Sequence, residues 1–313
     1  MFKIIDLFAG IGGIRLGFEQ AFDDVRCVFS SEIDKYAVQT YQANHGGETV
    51  CGDITQTDVA DIPDHDILLA GFPCQPFSQA GLKKGFADTR GTLFFDIERI
   101  LLAKKPQAFL LENVKQLKGH DKGRTLQVIL AHLQQAGYKV YTEVLKARDF
   151  GIPQNRERIY LVGFLNHNVN FHFPQPIGQP TTVGNILEAQ PDEKYTISDK
   201  LWQGHQRRKA ENRAAGKGFG YGLFNAESAY TNTISARYYK DGSEILIEQP
   251  GKNPRKITPR EAARLQGFPD SFQIPVSDAQ AYRQFGNSVC VPVIRAIAEQ
   301  MKAALSAVSD RKV

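Results

Sequence analysis

The sequence has little of what would define several classes of protein. Its four cysteines form no CxxC pair and no repeated spacing among 313 residues, so neither a disulfide framework nor a structural zinc site is expected. No uninterrupted apolar run approaches the roughly 20 residues that cross a bilayer. The N-terminus also lacks a basic segment and a small-residue cleavage site. We therefore expect a soluble, cytoplasmic protein without a membrane segment or a bound metal.

An excess of charge of one sign is missing as well. The formal net charge is +4 at pH 7, and the sequence pI is about 8.7. This mildly basic balance is compatible with a polyanionic partner but is weak evidence for one. With 42% hydrophobic residues, the chain can bury a large core in one or two domains.

The first half of the chain alternates strand-like with helix-like segments. The strand-like runs include FKIIDLF (2–8), DILLAG (66–71), AFLLEN (108–113) and RIYLVGF (158–164). Between them lie segments such as TLFFDIERILLAKK (92–105), with apolar residues at helical spacing. This alternation predicts an α/β fold with a doubly wound, mostly parallel sheet.

A proline-rich stretch, FHFPQPIGQP (171–180), interrupts the alternation. Helical signals return at TPREAARLQ (258–266), where Thr258 and Pro259 suit the N-cap and the first helical position. The intervening segment mixes short β-like runs with glycines and basic residues. We predict two domains: a larger one formed by residues 1–168 and 256–313, and a smaller, irregular, β-rich one formed by residues 169–255.

A glycine-rich turn, DLFAGIGG (6–13), joins the first predicted strand to a helix. Its glycines let the backbone turn sharply and approach a ligand closely. The third glycine of the dinucleotide fingerprint would fall at Arg15, which disfavours a nicotinamide cofactor. Glu32 closes the second strand about 20 residues later, where a carboxylate can accept hydrogen bonds from ribose hydroxyls. Asp53, after a predicted third strand, could reach an adenine amino group, so these features favour an adenosyl ligand.

One cysteine stands apart from the others. Cys74 follows a predicted strand and lies between Pro73 and Pro76, which restrict the direction of its thiol. Open α/β sheets place their chemistry at the carboxyl ends of parallel strands. We therefore predict that the Cys74 thiolate is a nucleophile. The remaining cysteines are interpreted as apolar filling: Cys27, Cys51 and Cys290.

Charged side chains fall at two other predicted strand ends. Glu112 follows an apolar run in LLENV (110–114), where partial burial would raise its pKa and make it a proton donor near neutrality. Arg156 and Arg158, in QNRERIY (154–160), are candidates for the positive charge that a thiolate requires. The convergence of thiol, acid and guanidinium on one predicted sheet indicates a catalytic site.

Together these segments resemble the ordered motif set of the cytosine-C5 DNA methyltransferases of the bacterial restriction-modification type. The matching motifs are DLFAGIGG, GFPCQPFS, LENV, QNRERIYLVGF, TPREAARLQGFPDSF and QFGNSV. They extend over nearly the whole chain outside residues 165–254, in the order of the family. The resemblance implies a Rossmann-like methyltransferase fold that uses S-adenosyl-L-methionine. It also implies a monomer that acts on double-stranded DNA with a short recognition sequence, and a possible cognate restriction endonuclease.

The resemblance further implies a chemistry. Cys74 attacks C6 of a cytosine that has rotated out of the duplex, while Glu112 hydrogen-bonds or protonates N3. Arg158 holds the O2 edge and Arg156 supports the site. The covalent adduct makes C5 nucleophilic towards the methyl group of S-adenosylmethionine. Cofactor contacts are implied for Phe8, Gly10, Gly12, Glu32, Ile33, Asp53, Ile54, Leu93 and Asn287, and Ile33 stands where some relatives have an aromatic residue.

Three regions are predicted to contact DNA. The segment at 78–92 resembles the mobile loop of the family, which closes over DNA. Residues 205–222 carry a basic run within the segment that resembles the target-recognition domain. Residues 231–242 align with a stretch that often meets bases near the target. The predicted contacts are Gln75, which precedes the first of these regions, and within the regions Ser78, Lys83, Lys84, Arg90, Arg207, Arg208, Thr233, Arg237 and Tyr239.

Two alternatives stay open at the level of sequence. One is a relative that methylates cytosine in tRNA, against which the basic inserted segment favours DNA. The other is a catalytically silent DNA-binding regulator on the same scaffold, against which the full set of chemical residues favours an enzyme.

Overall fold

The computed structural model describes residues 1–46, 49–72 and 93–309. Within them the chain divides into two compact units. The first unit comprises Met1–Leu145, Glu157–Gln175 and Val293–Val313, and the second comprises Lys146–Arg156 and Pro176–Pro292. No helix within the described ranges is long and apolar enough to cross a membrane.

The first unit is built on a six-stranded sheet with the order β2-β1-β3-β4-β6-β5. Its strands are β1 (Phe2–Leu7), β2 (Val25–Ser31), β3 (Ile67–Gly71), β4 (Ala108–Val114), β5 (Lys139–Lys146) and β6 (Glu157–Phe164). β1 runs parallel to β2 and β3, and β3 runs parallel to β4. β6 is antiparallel to β4. The predicted α/β fold with a mostly parallel sheet is therefore confirmed.

Helices follow the strands because local signals start and stop them. The α-helices of the described residues are α1 (Gly13–Ala21), α2 (Lys35–Asn44), α3 (Leu93–Lys104), α4 (Arg124–Gln135), α5 (Asp199–Ala214), α6 (Pro259–Arg264), α7 (Asp278–Asn287) and α8 (Val291–Ser309). At the start of α2, the Asp34 carboxylate accepts hydrogen bonds from two backbone amides. α6 begins with a capping box between Thr258 and Glu261 and has Pro259 in its first turn, which confirms the predicted start.

The main core of the first unit lies between the sheet and helices α3 and α4. Leu68, Phe109 and Leu111 of the strands pack there with Phe94 of α3 and Leu133 of α4. Each fully buried side chain of this kind contributes about 1.5–3 kcal/mol. This packing holds the strands in register and so determines where their ends lie.

The second unit contains a small three-stranded sheet of two-residue strands: β7 (Leu223–Phe224), β8 (Leu246–Ile247) and β9 (Arg255–Lys256). It also contains α5, a 16-residue helix that was not predicted there. His205 is the one buried residue of α5, so the helix carries almost no apolar periodicity from which to predict it. Helices α6 and α7, which were predicted as part of the larger domain, group with this unit. The assignment of target recognition to residues 169–255 stays a prediction.

Candidate active site

Two of the predicted catalytic side chains, those of Glu112 and Arg158, meet at one edge of the sheet of the first unit. Parallel strands β3 and β4 both end there, with Gly71 in register with Glu112. β6 runs in the opposite direction, so its first residues lie at the same edge. Arg158 is in register with Val114, two residues beyond Glu112. Such diagonal neighbours on a sheet are within reach of long side chains.

Glu112 and Arg158 form an ion pair at this edge. Nε of Arg158 lies 3.0 Å from Oε1 of Glu112, and the two side chains are 16% and 11% exposed, respectively. Arg158 also donates a hydrogen bond to the backbone oxygen of Glu157 at 2.8 Å. Gly71 leaves room beside the carboxylate, because a Cβ built on it would lie 3.6 Å from Oε2. The arrangement presents hydrogen-bond donors and acceptors side by side, which suits the polar edge of a planar base.

Asn113 is a residue whose contribution was not predicted. It is buried, and its Nδ2 donates a hydrogen bond to the backbone oxygen of Phe72 at 2.9 Å. Its Oδ1 accepts from the amide of Val114 at 2.8 Å. Asn113 thus ties the end of β4 to the segment that leads into Pro73 and Cys74. The available signal was a polar residue next to Glu112 in an otherwise apolar strand.

Cys74 itself lies outside the described residues, and its role as nucleophile stays a prediction. The same holds for predicted DNA contacts that share its segment: Gln75, Ser78, Lys83, Lys84 and Arg90.

The other cysteines are placed as follows. Cys27 and Cys290 are buried, and Cys51 is half-buried, with its Sγ 3.3 Å from Oγ1 of Thr57. Burial raises the pKa of Cys27 to about 12, and the nearby Asp6 contributes to this rise. A thiol with so high a pKa is a poor nucleophile.

Arg156 belongs to the second unit, where its side chain donates hydrogen bonds to backbone carbonyl oxygens. Its side chain is 2% exposed. It donates hydrogen bonds to the carbonyl oxygens of Ile234 and Gly286, each at 3.3 Å, and of Ser288. Arg156 therefore fixes the chain on both sides of Asn287, the predicted cofactor contact at the end of α7. These bonds define a positioning role for Arg156, and its predicted support of catalysis stays a prediction.

Two buried glutamines extend this network and were not predicted. Gln154 donates to the carbonyl oxygen of Leu265 at 2.8 Å and accepts from the amide of Ile234 at 3.0 Å. Gln266 donates to the carbonyl oxygen of Phe285 at 2.6 Å. Both lie within the matching motifs, but only Gln266, next to Leu265, interrupts an apolar pattern that could have singled it out.

The predicted cofactor turn has an unusual backbone. Phe8, Gly10 and Gly12 all have positive φ, at 54°, 55° and 81°. For Phe8 this is an uncommon conformation, of the kind that concentrates at functional sites. The Glu32 carboxylate accepts hydrogen bonds from the amides of Gly10, Ile33 and Asp34 at 2.8–2.9 Å. A carboxylate offers about four acceptor positions, and the described residues fill three of them, which leaves one for a ligand hydroxyl.

The surroundings of this turn fit an adenosyl ligand. Among the described residues, a Cβ built on Gly10 meets nothing within 4 Å, so the backbone at Gly10 is open to a ligand. Ile33 is 76% exposed and provides an apolar wall beside Glu32. Asp53 accepts a hydrogen bond from the amide of Thr55 at 3.0 Å and caps a short helical turn, Ile54–Gln56.

Not every predicted cofactor residue is equally accessible. Ile54 is buried and belongs to the main core, whereas Leu93 begins α3 and is half-buried. Among the described residues, the predicted third strand before Asp53 is reduced to an isolated parallel bridge between Cys51 and Ser31. The chain turns into the cap at Asp53 directly afterwards.

The predicted DNA contacts in the second unit differ in exposure and in their contacts within the protein. In α5, Nη2 of Arg208 lies 2.7 Å from Nδ1 of His205 and donates a hydrogen bond to Oδ2 of Asp241 at 3.1 Å. Thr233 donates to the carbonyl oxygen of Asn155 at 2.7 Å. Arg207 and Arg237 are exposed. The guanidinium carbon of Arg283 lies over the Tyr239 ring, 5.4 Å from the ring centroid.

The fold is that of known methyltransferases. It matches the Entamoeba histolytica methyltransferase EhMeth with a TM-score of 0.80, covering 98% of this chain and 99% of that one, at 20% identity. The family model for C-5 cytosine-specific DNA methylase matches residues 2–303. The chain therefore belongs to that family of enzymes.

Two relatives illustrate the similarity in sequence. The chain is 97% identical over 313 residues to the type II methyltransferase M.NlaX of Neisseria lactamica, covering 100% of both chains. It is 68% identical over 304 residues to the type II methyltransferase M1.ScrFI of Lactococcus lactis subsp. cremoris, covering 96% of this chain and 78% of the relative.

Proposed function

We propose that this cytosine-5 DNA methyltransferase modifies one cytosine in a short double-stranded recognition sequence and protects DNA in a restriction-modification system. The type II names of its relatives support this biological role. The observation that carries the chemistry is the Glu112–Arg158 ion pair at the edge where β3 ends. Cys74 follows Phe72 by two residues, so chain geometry keeps their Cα atoms within roughly 7 Å.

The catalytic roles follow from the chemistry of cytosine. The base rotates out of the duplex at a cost of a few kcal/mol, because its reacting carbons are inaccessible in the stack. Glu112 and Arg158 then hold its polar edge, at N3 and O2. Attack of the Cys74 thiolate at C6 turns the ring into an enamine, which makes C5 nucleophilic. Once C5 carries the transferred methyl group, a base removes the C5 proton, and elimination releases the cysteine.

S-adenosyl-L-methionine is proposed as the methyl donor and supplies the methyl group when bound. The open face of Gly10, the remaining acceptor position of Glu32 and the exposed side chain of Ile33 support this choice. The other residues proposed to hold the cofactor are Phe8, Gly12, Asp53, Ile54, Leu93 and Asn287.

DNA binding is proposed for the second unit. Residues 199–219 contain six basic and two acidic side chains, so their surplus equals the formal net charge of +4 of the whole chain. Most of the side chains from Gln206 to Phe219 are exposed. Phosphate contacts by this segment would make binding fall steeply with salt concentration. We further propose that the enzyme acts as a monomer in the cytoplasm, alongside a cognate endonuclease.

The test uses Cys74→Ser and duplex DNA that carries 5-fluorocytosine. The fluorine prevents the final elimination, so wild-type protein with S-adenosylmethionine should form a covalent adduct that survives denaturing electrophoresis. Cys74→Ser should form none and lose turnover, while its DNA affinity stays within about threefold. Retained methylation by Cys74→Ser would contradict the nucleophile assignment.

A parallel radiolabel assay offers duplex DNA and tRNA to the wild-type enzyme. Label on DNA is expected, and label on tRNA alone would refute the proposed substrate. Bisulfite sequencing of the modified DNA would then locate the methylated cytosine.

A further inference from the structure

Behind the cofactor turn lies a group of polar side chains that the proposed chemistry does not use. It consists of Arg15 and Glu19 on α1, Tyr41 on α2 and His45, which ends α2; we call it the His45 cluster. Arg15, Tyr41 and His45 are buried. Burying polar groups is unfavourable unless they are hydrogen-bonded, so their arrangement is tightly specified.

The contacts within the His45 cluster hold the imidazole ring in one place. Arg15 donates to Oε1 of Glu19 at 2.6 Å and to the Tyr41 hydroxyl at 3.1 Å. Nδ1 of His45 lies 3.6 Å from Oε2 of Glu19. The rings of Tyr41 and His45 pack with their centroids 4.6 Å apart. The ring is therefore held by a carboxylate and by an aromatic neighbour.

Glu19 is the charged anchor of this arrangement. Burial by itself raises the pKa of Glu19, but hydrogen bonds from His45 and Arg15 outweigh that effect and leave the pKa below its ordinary value. Glu19 is consequently ionised at neutral pH and attracts the donors of both neighbours.

The ring supports one particular glycine of the turn. A Cβ built on Gly12 would lie 2.2 Å from Nε2 and 2.8 Å from Cδ2 of His45, and 3.1 Å from Cε2 of Tyr41. Gly10 also has positive φ, but a Cβ there meets nothing within 4 Å. The two glycines thus serve different purposes. Gly10 faces open space, whereas the backbone of Gly12 rests against the imidazole.

We propose that His45 is a positioning residue that fixes the cofactor turn from behind. Glu32 holds the turn at Gly10 through a hydrogen bond, and the His45 ring holds it at Gly12 through packing. With both supports the turn is preorganised for its ligand, and loss of one support allows it to relax. This inference rests on the proposed role of the turn in binding S-adenosylmethionine.

The first test removes the ring with His45→Ala. Calorimetric titration should show S-adenosylmethionine affinity weakened on the order of tenfold, or about 1.4 kcal/mol. The kcat at saturating cofactor and DNA should stay within about threefold, because ground-state binding is what is lost. A lower melting temperature with unchanged cofactor affinity would show a purely structural role and overturn the proposal.

The second test is a double-mutant cycle. Gly12→Ala should weaken cofactor binding on the order of 100-fold, and adding His45→Ala should recover at least about tenfold of it. Gly10→Ala is the matched control, because Gly10 also has positive φ but lacks the ring contact. His45→Ala should not improve it. Absence of recovery at Gly12, or equal recovery at both glycines, would overturn the proposal.

Hydrogen exchange decides the question even if a glycine variant does not fold. Amides of residues 8–13 should exchange faster in His45→Ala than in the wild-type protein, with distant helices unchanged. Unchanged exchange in this segment would overturn the proposal. If wild-type protein bound no S-adenosylmethionine while the exchange difference was present, the proposed function would fail and the support of the turn by His45 would stand.

Discussion

Nε of Arg158 lies 3.0 Å from Oε1 of Glu112, although 46 residues separate them along the chain. The contact exists because β6 is antiparallel to β4, which returns the start of β6 to the edge where β4 ends. In an all-parallel sheet the start of β6 would lie at the opposite edge. The antiparallel pairing of β6 with β4 is thus what brings an acid and a guanidinium together at the edge where β3 and β4 end.

Replacing Glu112 by glutamine should lower the rate of methyl transfer. The amide keeps the shape of the side chain but removes its charge and its proton-transfer capacity, which contributes about 100-fold to 10,000-fold in such sites. Radiolabel transfer under single-turnover conditions measures the effect, and calorimetry should show little change in cofactor affinity. Glu299→Gln is the control, because Glu299 pairs with Arg295 on the surface of α8. A wild-type rate for Glu112→Gln would exclude a chemical role.

Replacing Asn113 by alanine should slow catalysis without affecting cofactor binding. The substitution removes the hydrogen bond to the Phe72 carbonyl and leaves a buried acceptor unsatisfied, at a cost of about 1–3 kcal/mol in stability. Single-turnover rates should fall on the order of tenfold, because the segment that leads to Cys74 is less well placed. An Asn113→Ala enzyme with the wild-type rate and a lower melting temperature would limit Asn113 to a structural role.

Replacing Arg156 by lysine should destabilise the second unit. A lysine carries the charge but not the planar fork that reaches several carbonyl oxygens at once. We expect the loss of roughly 2–4 kcal/mol from unpaired buried carbonyl groups. Trp202, the single tryptophan of the chain, lies in this unit and reports its unfolding in urea by fluorescence. Arg213→Lys, at an exposed position of α5, is the control; equal midpoints for both variants would contradict the prediction.

Replacing Asp6 by asparagine should raise stability at alkaline pH. Asp6 is 1% exposed, and its carboxylate oxygens have no hydrogen-bond partner among the described residues. Burial raises the pKa of Asp6 well above its ordinary value, although Arg15 partly offsets this. The folded protein therefore holds a proton that the unfolded chain releases, so stability falls as pH rises from about 4 through the raised value.

Thermal melts of both proteins across the pH range test this prediction. The melting temperature of Asp6→Asn, relative to that of the wild-type protein, should increase as the pH rises. A difference that does not change with pH would show that Asp6 keeps an ordinary pKa.

Many elements could be predicted from sequence because short-range preferences encode them. The glycine turn has the positive φ values that its glycines allow, and Thr258 starts α6 through a local capping box. Helix α5 was missed for the complementary reason, since a polar helix with one buried residue has no apolar periodicity. Before Asp53 the described residues form only a one-residue bridge at Cys51 instead of the predicted strand, because the chain turns into the cap at Asp53 directly afterwards.

The sequence by itself determined the family of the enzyme, the α/β class of its sheet and the residue types available for chemistry. Only the tertiary structure decided that Arg158 meets Glu112, that Arg156 holds the backbone around Asn287, and that the His45 ring occupies the space a Cβ on Gly12 would need. The physical reason is the distance along the chain over which each interaction acts. Turns, caps and periodicity depend on neighbours along the chain, whereas these contacts depend on the direction in which strands run and helices pack.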